Sequence, residues 1–171
     1  MQNSFSHAGW KRILTVFTLA LGLVGNGLQA QTEGKYTAQI KAAITEMISE
    51  CAKMGAPKQE GNSLYFGETK INGNYTLVDS LNAKHKCTAT IFVKKGEGFM
   101  RVSTNVIKAD GSRAVGTTLD PKGPAMAAIS KNAAYYGLAD ILGKKYETGY
   151  EPIKNAAGEI IGVYYIGYVL E

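Results

Sequence analysis

The sequence is poor in the residues that most enzymes and metal sites use. It has two histidines, two cysteines and one tryptophan in 171 residues. His7 falls in the N-terminal leader described below, so His85 is the only histidine in the remainder. A single histidine flanked by Lys84 and Lys86 cannot complete a Ser-His-Asp set and reads as a solvated surface residue. Metal ligation would need more His, Cys or clustered carboxylates. The acidic residues are dispersed, so no carboxylate pair suggests a hydrolase. The glycines sit at turns between apolar runs and form neither a dinucleotide fingerprint nor a phosphate loop. These absences argue against an enzyme and leave no cofactor or metal to expect. There is also no basic stripe with interleaved aromatics, which removes nucleic acid from the expected partners.

The first thirty residues read as a secretory signal peptide. Lys11 and Arg12 are its charged start, and Ile13 to Val24 is a short apolar stretch. Leu28-Gln-Ala30 is a cleavage signal that places the mature start at Gln31. The stretch is too short for a confident membrane span, and no later one is long enough. Without the leader, seventeen basic side chains face fourteen acidic ones. The expected organisation is a leader over 1–30 and one domain over 31–171, in the periplasm or secreted. In that oxidising compartment Cys51 and Cys87 read as one disulfide, worth about 3–4 kcal/mol in the chain-entropy model. Two buried free thiols are the competing reading. Asn74-Tyr-Thr76 matches a glycosylation sequon, which matters only in a eukaryotic secretory pathway.

From Gln31 to Met54 the spacing predicts a helix. Thr32 is its candidate N-cap, and Ile40, Ala43, Ile44, Met47, Ile48 and Cys51 form one apolar face. Gly55 and Pro57 end it. Residues 58–86 are the least regular, with a short strand at Leu64-Tyr-Phe-Gly and a short helix or turn from Val78. Strand signals then dominate. Thr88–Val93 and Phe99–Ile107 are expected to form a hairpin around the loop Lys94-Lys-Gly-Glu-Gly98. A small helix follows at Pro124–Ser130, then strands at Ala134–Leu142, Lys145–Ile153 and Ile160–Leu170. The last is apolar on both faces and so belongs in the middle of a sheet. The fold class is α+β, a long N-terminal helix packed on a central antiparallel sheet of five to six strands.

Period two divides the strand 99–107 into two faces. Met100, Val102, Thr104 and Val106 form the face expected under the helix, and Phe99, Arg101, Ser103 and Asn105 the other. A guanidinium with a hydroxyl one pleat away suits a carboxylate, because the fork of Arg matches it with two bonds. An ordinary exposed sheet face with a solvated or ion-paired Arg101 fits the pattern equally well. The tyrosines favour a pocket, since each offers an apolar wall with a hydroxyl at its tip. Tyr136, Tyr146 and Tyr150 are read as pocket residues, and Tyr164, Tyr165 and Tyr168 as half-buried sheet residues. The candidate ligand site is therefore Arg101, Ser103, Tyr136, Tyr146 and Tyr150.

The blocks Ala89-Thr-Ile-Phe-Val, Phe99-Met-Arg-Val-Ser-Thr-Asn-Val, Asp110-Gly-Ser-Arg-Ala-Val-Gly-Thr, Ala134-Tyr-Tyr-Gly, Ile141-Leu-Gly-Lys-Lys-Tyr, Gly149-Tyr-Glu-Pro-Ile and Gly158-Glu-Ile-Ile-Gly-Val-Tyr-Tyr-Ile-Gly resemble the single Cache domain family. These are extracytoplasmic sensor domains of bacterial chemoreceptors and sensor kinases. The resemblance runs from about Gly61 to Tyr168 and implies a PAS-like sheet with the long helix on one face and a small-molecule pocket on the other. It implies a small organic ligand, anionic or amino-acid-like, and carries the pocket onto Arg101, Ser103, Tyr136 and Tyr146. In such receptors the last strand runs on into a membrane helix. Here the sequence ends at Glu171, so the expectation is a free-standing module acting through a membrane chemoreceptor, sensor kinase or transporter, with a homodimer through the N-terminal helix as a further expected contact. A structural or protein-interaction domain with a filled pocket is the alternative.

Overall fold

A computed structural model describes residues 34–170. The leader, its cleavage point and the Thr32 cap lie outside them. The chain opens with α1 (Thr37–Met54), then β1 (Pro57–Glu60), β2 (Ser63–Phe66), β3 (Thr69–Lys70) and α2 (Thr76–His85). The strands β4 (Thr88–Lys95) and β5 (Gly98–Thr104), the helix α3 (Pro124–Ile129), and β6 (Tyr135–Ile141), β7 (Lys144–Lys154) and β8 (Ile160–Val169) complete it. The main sheet is antiparallel with strand order β5-β4-β8-β7-β6. The doubly apolar β8 is the central strand, as its composition predicts. Among the described residues no helix is long and apolar enough to cross a membrane.

α1 forms because its apolar positions recur every three or four residues, and Ile40, Ala43, Ile44, Met47 and Cys51 are all buried. Its N-terminus has no side-chain cap of its own. The first turn is held instead by Glu147 of β7, whose Oε2 accepts from Tyr36 N at 2.8 Å and Oε1 from the Thr37 hydroxyl at 2.7 Å. A carboxylate there satisfies otherwise orphaned donors and sits at the positive end of the helix dipole. At the other end, Gly55 and Gly67 meet back to back with φ of 122° and 56°. A Cβ on Gly55 would lie 2.8 Å from the Gly67 Cα, so both positions need glycine.

Residues 57–70, irregular by sequence, form a second antiparallel sheet of three short strands in the order β1-β2-β3. Leu64 and Phe66 of β2 are buried in the same cluster as the apolar face of α1. α2 packs its Val78 and Leu81 into that cluster too. His85 is not a solvated surface group: its Nε2 lies 2.8 Å from Glu46 Oε2 of α1, and Lys84 donates to the same carboxylate at 2.7 Å. The β4–β5 connection is tighter than expected. Lys95 pairs with Gly98 across the two residues Gly96 and Glu97, and Gly96 supplies the positive φ of 59°.

The sheet separates two apolar clusters. One lies under α1, α2 and β2 and includes Ile91, Val93, Ile153, Tyr164 and Ile166. The other lies under α3 and the 105–119 segment and includes Phe92, Phe99, Tyr146, Tyr150, Val163 and Tyr165. Cys51 and Cys87 are separate buried thiols, not the expected disulfide. Cys51 points from α1 toward Tyr164. Cys87, just before β4, directs its sulfur back to the Leu81 carbonyl at 3.7 Å. Each is taken up by a different neighbour within the first cluster.

Candidate ligand-binding site

The site is built on β5, and an irregularity in that strand decides which side chains reach it. Thr104 pairs with Thr90 and Ser103 with Ile91, but Arg101 pairs with Phe92. Val102 is therefore an extra residue, a bulge that reverses the alternation after it. Phe99 and Arg101 face α3, as expected. Ser103 does not join them: it faces α2, where its hydroxyl donates to the Asn74 carbonyl at 2.6 Å. Asn105 is likewise on the α2 side and donates to the Val78 carbonyl at 2.6 Å. Thr104 and Val106, expected under the helix, lie on the α3 side, where the Thr104 hydroxyl meets that of Thr90 at 2.6 Å.

The tyrosines divide by register in the same way. Tyr135 pairs with Tyr150 and Ala139 with Tyr146. Tyr146 and Tyr150 are both buried on the α3 face, and Tyr150 lines the cleft there. Tyr136 is on the opposite face, where its hydroxyl donates to Glu151 Oε1 at 2.6 Å and the Lys41 ammonium lies 5.8 Å from its ring centroid. Tyr135 takes the expected place of Tyr136, with its ring 6.2 Å from that of Tyr150. Tyr165, read from sequence as an ordinary sheet residue, is fully buried behind the cleft, 5.0 Å from the Tyr150 ring. Tyr164 and Tyr168 are on the α1 side, Tyr168 stacked on Tyr36 at 4.8 Å.

Arg101 is only 4% exposed. Its guanidinium lies 5.0 Å from the centroid of Phe92. Nη1 donates to the Thr117 hydroxyl at 2.7 Å, and that hydroxyl passes its own proton to the Ala114 carbonyl. The 113–119 segment is fixed against β5 by backbone bonds, Arg101 N to Thr117 O and Leu119 N to Phe99 O, each 2.9 Å. Arg113 secures the far end of the segment with two bonds of 2.8 Å to Asp79 of α2. Among the described residues no group accepts from Arg101 Nε, and no carboxylate pairs with the guanidinium. Burial pushes its pKa below the usual value, while Tyr165 and Tyr150 act weakly in the other direction. An arginine still stays charged.

Beside this charge is a cleft of about 260 Å³. Leu119, Pro124, Ala125 and Ile141 are apolar walls, Tyr150 and Arg101 the inner end, Asp120 polar lining on the α3 side and Asp140 the rim at β6. Burial raises the Tyr150 phenol well above its ordinary value, opposed by Arg101 and reinforced by Asp120. The phenol thus feels both charges. Of the five candidates, Arg101 and Tyr150 line the cleft, Tyr146 shares their face, and Ser103 and Tyr136 lie on the other face. Thr117, Asp120, Asp140 and Tyr165 were missed. Thr117 is the last residue of the quoted block that begins at Asp110, but nothing local marks the two aspartates.

A family model described as the Cache 3/Cache 2 fusion domain matches residues 26–170. The chain belongs to that family. Cache domains are extracytoplasmic sensor domains, and the helix-on-sheet architecture described above is theirs. The crystal structure of the E. coli DcuS sensor domain is similar over 76% of this chain and 90% of that one, at 14% identity and a TM-score of 0.45. No curated protein matches the chain.

Proposed function

We propose that this Cache domain senses a small carboxylate outside the cytoplasm and passes the bound state to a membrane chemoreceptor, sensor kinase or transporter. One observation carries the reading: Arg101 is buried, charged and without an acidic partner among the described residues, yet it borders a cleft. A buried charge without a counter-ion is costly, and a bound carboxylate is the group that removes the cost. Thr117 occupies Nη1 and Nε is buried without an acceptor among the described residues, so the guanidinium keeps donors that a carboxylate would satisfy. The proposal keeps an exported domain over 31–171 with a leader over 1–30, and no catalytic step.

Transmission would run through β7. Tyr146 and Tyr150 of this strand face the ligand cluster, and Glu147 between them holds the first turn of α1. A ligand that draws Arg101 and Tyr150 together favours one seating of β7, and thereby of α1, as a population shift. α1 also offers a route to a second copy. Ala38, Ala42, Thr45, Ser49 and Ala52 form its outward stripe, all exposed, and allow close approach of a partner helix.

The test is a thermal-shift screen of small organic and amino acids on the wild type and Arg101→Ala. The best ligand should raise the wild-type melting temperature and not that of the variant. A ligand whose effect survives the change would refute the anchor role of Arg101.

A further inference from the structure

The main sheet has two edges, and the described residues close only one of them. At β5 the 113–119 segment takes up the outer backbone groups: Arg101 N donates to Thr117 O, Gly116 N to Arg101 O and Leu119 N to Phe99 O. β6 is the other edge. Leu142 and Gly143 close its hairpin with β7 on the pair Ile141–Lys144. A two-residue hairpin closes on a hydrogen-bonded pair, and such pairs alternate along an antiparallel ladder. Tyr135, Gly137, Ala139 and Ile141 therefore direct their N–H and C=O at β7, and Tyr136, Leu138 and Asp140 direct theirs outward. The outer Leu138 carbonyl accepts from the Tyr135 hydroxyl at 2.7 Å. A carbonyl has two lone pairs, so one is left. No other hydrogen bond reaches this outer row among the described residues. Open edges are usually blunted by lysine, proline or a bulge. β6 has none of these, and its Leu138 is 63% exposed.

We infer that β6 is the interface for a second copy of this chain, paired antiparallel about a two-fold axis at Leu138. The outer row is complementary to itself. In this register Leu138 is opposite Leu138 and Tyr136 opposite Asp140, so each outward N–H meets an outward C=O. Centred on Gly137 or Ala139 instead, one of the three outward residues would lose its strand partner. The side chains agree with the register. On the face toward α1 the two Leu138 side chains meet. Asp140 meets Tyr136 of the second copy, whose ring centroid has the Lys41 ammonium 5.8 Å away, so acid approaches cation. On the other face Tyr135 meets Ile141, and Gly137 meets Ala139. Leu142, 49% exposed, falls opposite Ala134. The two-fold makes each of these contacts twice, which a strand of another protein would not. The pairing joins two five-stranded sheets into one. It uses neither α1 nor Arg101, so it stands apart from the ligand reading.

The experiment is sedimentation equilibrium with thiol cross-linking of the purified exported protein. Wild type should dimerise with a Kd of about 0.1 mM, as suits a small interface. Leu138→Pro should weaken association about tenfold or more, because it removes the N–H at the axis, which the β6–β7 ladder does not use. Leu138→Lys sets two ammonium groups opposite each other and should do the same. A residue this exposed tolerates lysine in the single copy, so this variant decides the matter if proline unfolds the strand. Residues in a hydrogen-bonded pair have Cα atoms about 5.5 Å apart, within disulfide reach, so Leu138→Cys should give a cross-linked dimer under mild oxidation. Cys51 and Cys87 are buried, and wild type should not cross-link. Ser49→Cys, on the outward stripe of α1, is the comparison. Cross-linking there and not at 138 assigns the dimer to α1 and overturns the inference. A dimer that Leu138→Pro and Leu138→Lys leave intact also overturns it. So does a wild type that stays monomeric at about 1 mM, which leaves the edge to a strand of another protein.

Discussion

The two faces of the sheet solve the same problem, covering an apolar surface, in opposite ways. Under α1 and α2 the polar groups are paired: Glu147 with Tyr36 and Thr37, Ser103 with Asn74, Asn105 with Val78, Tyr136 with Glu151. Under α3 the guanidinium of Arg101 has, among the described residues, one hydrogen bond and no counter-ion. The first arrangement is what stability selects. The second is costly, and on the proposed reading a bound carboxylate offsets the cost. The difference is the physical ground for proposing the ligand site on the α3 side.

The sharpest way to test this contrast is to remove the charge. A charge-assisted bond to a carboxylate contributes about 1.5–3 kcal/mol, so Arg101→Ala should weaken the best ligand by about 10- to 150-fold. Arg101→Met should do the same and also raise the melting temperature of the unliganded protein, by about 3 °C for each 1 kcal/mol recovered. Scanning calorimetry without ligand checks the second half. A fall in melting temperature on Arg101→Met would mean that the arginine is structural.

The opposite behaviour is expected across the sheet. Glu147→Ala leaves the Tyr36 amide and Thr37 hydroxyl without their acceptor and should cost about 2 kcal/mol in denaturant unfolding. Because Glu147 shares β7 with Tyr150, ligand affinity should also move, by about two- to fivefold if α1 seating and the pocket are linked. An unchanged affinity would break the proposed route through β7. Gly149→Ala is a purely steric change on the same face. Its Cβ would lie 2.5 Å from Ile40 Cγ2 and 2.9 Å from the Tyr136 ring, so overpacking should cost about 1–3 kcal/mol.

The helix and the sheet were legible because their signals are local and repeated. The stripe from Ile40 to Cys51 and the two-faced apolarity of β8 each suffice for their element. The site was half legible, and the bulge explains which half. Arg-Val-Ser-Thr contains no glycine or proline to mark an extra residue at Val102, so strict alternation assigned Ser103 to the wrong face. Tyr135 and Tyr136 are adjacent and must point apart. Only pairing with Tyr150 decides which of them enters the pocket face. Of the three short strands of 57–70 only the middle one, at Leu64-Tyr-Phe, was read; β1 and β3 were missed because each is too brief to show a period.

The smallest effect concerns the two thiols, which belong to the well-packed face. Burial pushes Cys51 up to about 12 and Cys87 up to about 11. The neutral thiols are thus favoured by the fold, and the unfolded chain ionises first, near pH 9.0. Their contribution to stability is complete at neutral pH and is lost as pH rises from about 9 through 11 to 12. Denaturant midpoints should fall between pH 8 and 10.5 in the wild type, and less steeply in a Cys51→Ala, Cys87→Ala variant. At pH 8 neither thiol should react with iodoacetamide in the folded protein, since the thiolate is the nucleophile. Both should react on unfolding without reductant. If unfolding alone exposes no thiol, and reduction is needed, the exported protein carries the disulfide after all, and the packed face is stapled as well as satisfied.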